Sequence, residues 1–440
     1  MPPLGAVTVS TAEPGPTTRS GLRATSGPTT RSGPDNTSDP TEADPVGDGT
    51  RRLTQSALGV VGTWTWFLYG FGAALPLLRD ELGTSRTVMG LHSTALAVGG
   101  LTAGLAATTL VRRFRRRGVT LLGIALVSLG CTGLVGTGLL GARTPLLTLA
   151  ITLVIGVGGS MTINTMTPAL VEQHGERGTA SLSAVNGAGA GIGFLAPLAV
   201  GAGTGLGLTW RPALLVTVPL AVLTATLVRR TPRLDALDAP LPRHGPGGKT
   251  AMARSFRPSV AVVVVCVGVE FCMSTWSADL MHQHAGLSSG AASASVSAIV
   301  AGMATGRWAV GRLSLRIDPG RLLLAEIGVA ALGWALTWAA TAPVPAVCGL
   351  VLAGIGIGGH YPLGVSLLLR STPGQQDRAS GTLSVAVSFA VGSAPFVVGA
   401  LADAAGTHRA FLVVPALLVV AAGFAVVAAR RRAELAPSAG

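Results

Sequence analysis

Apolar runs of roughly twenty residues recur along almost the whole sequence. They lie near 56–78, 88–111, 119–141, 145–170, 179–203, 209–229, 258–281, 289–311, 320–341, 345–369, 379–402 and 409–430. Each is long enough to cross a bilayer core of about 30 Å as a helix. In lipid a backbone must satisfy its own polar groups, so runs of this length predict an all-α integral membrane protein with twelve transmembrane helices. Only 12% of the residues are charged, against about a quarter in a soluble chain. The runs at 88–111 and 289–311 are rich in Ala, Gly, Ser and Thr, which let helix backbones approach closely. The pairs Gly100/Gly104, Gly187/Gly191 and Gly302/Gly306 have the small-xxx-small spacing. Cys131, Cys266, Cys272 and Cys348 all fall inside apolar runs, where cysteine packs as a small hydrophobe.

Three segments fall outside the runs. Residues 1–54, with "TAEPGPTTRSGLRATSGPTTRSGPDNTSDP", read as a disordered cytoplasmic tail, because such a composition buries too little apolar surface to offset its ordering entropy. Residues 231–257 read as a linker, and 433–440 as a second tail. The linker divides the runs into bundles at 55–230 and 258–432. With the N-terminus inside, 27 of the basic residues fall on the inner side and 5, namely Arg79, Arg86, Arg143, Arg211 and Arg409, on the outer. This asymmetry predicts that both termini are cytoplasmic. The net charge of +13 comes from these loop clusters, not from a solvated nucleic-acid-binding patch.

The two bundles repeat each other. "IGVGGS" at 155–160 returns as "IGIGGH" at 355–360, a spacing of 200. Glu176-Arg177 matches Asp377-Arg378, Gly191 matches Gly392, Pro197 matches Pro395, and Gly201 matches Gly399. Ordered matches in two pairs of runs predict a duplicated six-helix unit, one of the known transporter layouts. The glycine strings lie mid-run, without the strand and helix that a dinucleotide loop needs.

On these features the chain resembles the major facilitator superfamily over roughly 55–432. The stretch from Gly104 through Arg112 and Arg113 to Gly118 resembles the family's basic loop motif, without the acidic residue usual there. Gly306-Arg307, Arg312 and Asp318 form the better-matched counterpart, and Gly187 to Pro197 resembles the family's glycine–proline helix. A narrower likeness, on Gly268-Val-Glu270, Trp276 and Gly306-Arg307, is to the fucose-permease-like branch. The first run lacks the acid that some sugar-transporting members carry, so no sugar is implied. The resemblance implies two six-helix bundles that rock about a central site, alternating access without ATP hydrolysis.

Ionisable groups deep in a membrane are costly, which makes them candidates for function. Glu270 is the one acid expected near the midplane, and it reads as a proton-coupling or cation-binding group, or else as a structural carboxylate. His360 titrates in the working pH range and is a second candidate. Trp66, Tyr69, Asn164, Asn186, Trp276 and Tyr361 are candidate substrate-binding residues. Each has an alternative as a packing, anchoring or interhelical group. Glu326 is expected to pair with Arg312, Arg316 or Arg321, and Asp279, His282 and His284 to form a solvated rim. No arginine is expected near the midplane, which favours a neutral or cationic solute. No nucleophile–base pair, metal site or cofactor is expected, and the chain is expected to be a monomer in the plasma membrane. The function expected is secondary active transport of a small solute, with protons as the coupling ion. The alternative is a non-transporting receptor or assembly partner on the same scaffold.

Overall fold

The computed structural model describes residues 45–141, 144–232, 234, 256–370 and 376–433. Most of the expected 1–54 tail, nearly all of the 231–257 linker and most of the 433–440 tail lie outside these residues. Among the described residues the secondary structure is helical, without strands. The N-terminal half holds α1 (Pro45–Leu82), α2 (Arg86–Leu139), α3 (Pro145–His174), α4 (Gly178–Gly205), α5 (Arg211–Leu215) and α6 (Thr217–Arg229). The C-terminal half holds α7 (Phe256–Gln283), α8 (Ser289–Leu313), α9 (Pro319–Ala339), α10 (Pro343–Gly358), α11 (His360–Arg370), α12 (Gln376–Ala405), α13 (Thr407–Ala410) and α14 (Val413–Ala433).

Among the described residues, ten helical segments are long and apolar enough to cross a bilayer. One of them, α2, has 54 residues. A straight helix of that length would measure about 80 Å, more than twice the hydrocarbon thickness. It breaks at Arg115, whose φ of 59° and ψ of 164° are not helical, so it supplies two crossings. A non-glycine residue in that region costs about 1–3 kcal/mol. The strain falls inside the basic loop Arg112–Arg117, where the chain must reverse. The twelfth crossing is α8, whose Ala, Gly and Ser content dilutes its hydropathy. The count of twelve runs therefore agrees with the structure. One boundary differs. The first helix begins at Pro45, ahead of the expected start at 55, because proline's fixed φ suits a first helical turn.

Close backbone contact, not side-chain bulk, positions α8. A Cβ on Gly302 would stand 2.2 Å from the Val351 carbonyl, and one on Gly306 would stand 2.1 Å from that of Ile355. The same contacts correct the register of the repeat. A Cβ on Gly156 would meet the Leu96 carbonyl at 2.4 Å, and one on Gly354 the Ile299 carbonyl at 2.3 Å. Gly158 meets Gly123, and Gly356 meets Glu326, each at 2.6 Å from the carbonyl. Gly156 and Gly354 are thus equivalent, as are Gly158 and Gly356, at a spacing of 198 rather than 200. In this register the counterpart of His360 is Thr162.

The hydrogen bonds joining the halves gather towards the end of the bundle opposite the chain termini. Asp279 on α7 binds Arg79 of α1 at 2.6 Å and Arg86 of α2 at 2.9 Å. Asp403 on α12 accepts from the Arg86 and Thr87 backbone N–H groups at 2.8 Å, capping α2 from the other half. Deeper in, the Thr94 hydroxyl donates to the Gly392 carbonyl at 2.6 Å. Ser293 and Ser297 donate to the Ala73 and Phe194 carbonyls at 2.9 and 2.7 Å. At this level Gly90 lies against the backbone of Pro395 and Phe396, and Gly201 against Gly290.

Candidate functional site

Beneath this closed end lies a small cavity between the halves, partly open to solvent. Tyr69 of α1, Ser93 of α2, and Glu270, Phe271, Ser274 and Thr275 of α7 line it. Glu270 sits mid-helix in an otherwise apolar stretch, as expected, and its side chain is 16% exposed. It does not stand alone. Arg307 Nη2 of α8 lies 3.7 Å from Glu270 Oε1, and the Arg307 side chain is 34% exposed. The Arg307 guanidinium and the Tyr69 hydroxyl are within electrostatic reach of each other. Tyr361 of α11 is half-exposed and within electrostatic reach of Glu270. The cluster thus joins one residue of the N-terminal half to three of the C-terminal half.

Arg307 corrects the expectation that no arginine approaches the middle of the bundle. It lies beside Gly306, whose face is pressed against α10. At about 100° per residue, that contact turns the next side chain towards α7 and α1. The basic motif therefore splits in function. Arg312 stays outside, with its guanidinium 3.8 Å from the centre of the Trp308 ring. Asp318 caps α9 by accepting from the Gly320 N–H at 2.9 Å. In the first-half loop Arg112 and Arg113 are exposed, and Gly104 lies near Asn164. The acid missing from this loop is supplied by α3. Buried Arg116 donates to both carboxylate oxygens of Glu172, at 2.7 and 2.9 Å.

Other candidates sit elsewhere. The Trp66 indole donates to the Ala213 carbonyl at 2.9 Å, so it packs inside the N-terminal half and does not share the cavity with Tyr69. The Trp276 indole donates to the Pro395 carbonyl at 2.9 Å and is buried against α12. In both cases the ring found a carbonyl of a neighbouring helix, a contact that sequence spacing does not show. Asn164 and Asn186 are exposed. His360, the first residue of α11, is buried, 1% exposed, and neither ring nitrogen meets a hydrogen-bond partner. Glu326 has no arginine partner among the described residues. Its carboxylate accepts from the Gly359 N–H at 3.3 Å, next to His360. Asp279 is not on a solvated rim: its side chain is 0% exposed and also accepts from the Thr407 hydroxyl. Sequence reasoning missed it because its cationic partners lie about 200 residues away. The described residues hold no group of three His, Cys, Asp or Glu side chains able to bind a metal.

Comparison with known proteins agrees with this architecture. A bacterial homologue of the human lysosomal transporter Spinster, inward-facing and occupied, aligns with a TM-score of 0.68 at 16% identity, covering 88% of this chain and 98% of its own. The nucleoside transporter NupG, as a point mutant, aligns at 0.68 and 13%, covering 86% and 99%. FucP in the outward conformation aligns at 0.59 and 17%, covering 85% and 98%. No curated protein sequence matches. The family model for the Major Facilitator Superfamily matches residues 57–347, about two thirds of the sequence. The chain is a multi-pass membrane protein and belongs to the Major Facilitator Superfamily, a family of membrane transporters.

Proposed function

We propose that the protein is a proton-coupled secondary active transporter of a small solute, working by alternating access in the plasma membrane with both termini cytoplasmic. The observation that carries this reading is the Glu270–Arg307 pair, in which Glu270 lines the cavity between the halves beside Tyr69 and Arg307 lies 3.7 Å from it. Protonating Glu270 removes the negative partner of Arg307. The cost of an unpaired charge in a partly buried site then changes which arrangement of the halves is favoured. Tyr69, Tyr361, Asn164 and Asn186 are the proposed substrate contacts. His360, whose ring is buried without a partner, is the proposed second proton-bearing group. The conformation reads as inward-open. The interhalf bonds close the end that the arginine asymmetry assigns to the outside, while Asn164, Asn186 and Tyr361 are exposed. A receptor on the same scaffold would not call for a charged pair in the central cavity.

The test is solute flux by the full chain reconstituted in vesicles, across an imposed pH gradient. The wild-type flux follows the gradient. Glu270→Gln transports without responding to it. A gradient response that survives Glu270→Gln removes the coupling assignment.

A further inference from the structure

The proposed site contains a cation whose bonding capacity is largely unused. A guanidinium has five N–H donors in a planar fork that matches a carboxylate. Arg307 lies within electrostatic reach of Tyr69, and its separation of 3.7 Å from Glu270 is longer than a hydrogen bond. About a third of the side chain is exposed. Arg79 and Arg86, the next arginines towards the closed end, are taken by Asp279. The groups facing Glu270 are Arg307 of α8, Tyr69 of α1 and Tyr361 of α11, with Cys266 one turn back on α7. Among the described residues, α12, α13 and α14 present no ionisable group to it.

We infer that the transported solute carries a single carboxylate, which docks on the free fork of Arg307 while the proton sits on Glu270. The inference rests on the coupling role proposed above for Glu270. Charge balance supplies the argument. In the empty site the cation of Arg307 and the anion of Glu270 cancel. A proton alone leaves Arg307 unbalanced in a partly buried site, and a carboxylate alone leaves a surplus negative charge. Both are costly. A proton and a monoanion together restore neutrality, so each promotes binding of the other. A dianion or a cation leaves net charge in the cavity. Ser93, Ser274 and Thr275 offer hydroxyls to the body of the solute, and Phe271 an apolar face.

The experiment measures binding to the purified full chain by ligand-induced thermal stabilisation. The probes are benzoate and lactate and their uncharged amides, benzamide and lactamide, at about pH 5.5 and 7.5. A pH-sensitive dye in weak buffer reports the proton taken up. At least one carboxylate is expected to bind and its amide not. Affinity should rise about tenfold for each unit of falling pH until Glu270 is fully protonated, as one proton per anion requires. Arg307→Gln should weaken carboxylate binding about 100-fold. Glu270→Gln should keep the binding and lose its pH dependence. The double variant Arg307→Gln/Glu270→Gln leaves no unpaired charge, so it tests the anchor where the single variant fails to fold, and it should not bind. Amides that bind as well as carboxylates, carboxylates that all fail to bind, or binding indifferent to Arg307 would overturn the inference. Gradient-driven, Glu270-dependent flux of an uncharged solute would leave the transporter reading standing and remove the carboxylate. Arg307-dependent carboxylate binding without gradient-driven flux would do the reverse.

Discussion

The two halves share one helical plan and differ in what they bury. In the register fixed by the glycine contacts, Arg307 corresponds to Gly104, Glu326 to Gly123 and His360 to Thr162. The C-terminal half thus carries ionisable side chains where the N-terminal half has neutral ones. The buried His92 of the first half is satisfied at both ring nitrogens, by the Val88 carbonyl at 3.1 Å and the Thr148 hydroxyl at 2.9 Å. His360 is satisfied at neither. Across the closed end the division continues, with acids Asp279 and Asp403 from the second half meeting Arg79, Arg86 and the α2 N-terminus from the first. Duplication supplied a symmetric frame. At these matched positions and at the closed end, the second half supplies the acids and the first half neutral or cationic groups.

The largest effect should come from breaking the frame on the loaded side. Gly306 of α8 matches Ala103 of α2 in the same register, and Ala103 is buried without strain. Gly306→Val drives two methyl groups into the Ile355 carbonyl and should abolish the folded protein, read as loss of the monodisperse peak in size-exclusion chromatography. Ala103→Gly should cost only about 1 kcal/mol. Equal loss in both variants would show that the halves are packed alike.

Asp279→Asn comes next. It leaves Arg79 and Arg86 without their shared anion, which should cost about 3–5 kcal/mol and open that end. A cysteine placed at Ser293, now buried and bonded to the Ala73 carbonyl, should then react with a membrane-impermeant maleimide far faster than in the background protein. Unchanged labelling would mean that the acid is not a latch.

The two histidines sharpen the contrast at lower cost. His92→Leu removes the ring's bonds to the Val88 carbonyl and the Thr148 hydroxyl, which keeps the Pro145 carbonyl, and should destabilise by about 1 kcal/mol. His360→Leu removes two unmatched polar atoms and should be neutral or stabilising by thermal melting, while impairing gradient-driven flux. A loss of stability at His360 equal to that at His92 would make both structural.

What could be read beforehand follows from what the medium imposes. Crossing length is a bilayer constraint written in every run, so the twelve crossings and their division into halves were legible. Register was less so: the three glycines of "IGVGGS" and "IGIGGH" coincide at a spacing of 200 and only two of them at 198, yet contacts with α2, α8 and α9 select 198. Helix facing was hardest. Arg307 lies close to a basic loop, and nothing in its neighbours announces that Gly306 turns it inward. Trp66 and Trp276 answer to carbonyls of other helices. Asp279 answers to arginines of the other half.

The smallest expected effect lies outside the crossings. His284 stacks on His408 at 3.9 Å, and His408 stacks on Trp338 at 4.4 Å. Burial, and then the neighbouring charge of His408, hold the His284 imidazole below its ordinary value of 6.5. An unfolded chain therefore binds more protons in that window than the folded one, so the contribution is present above about pH 6.5 and lost as pH falls below it. Trp338 fluorescence should change over the same range, and His284→Phe should remove the titration. A titration retained in that variant would place its source elsewhere.

The most direct test of the central claim is proton movement itself. Vesicles holding the reconstituted protein and a lumenal pH dye are given a gradient of the solute alone, with no pH difference imposed. In the wild type and in Thr162→Val, its neutral first-half control, the lumen should change pH as the solute moves, whereas Glu270→Gln should move solute with no pH change. A lumen that changes pH as much with Glu270→Gln as with the wild type would contradict the account.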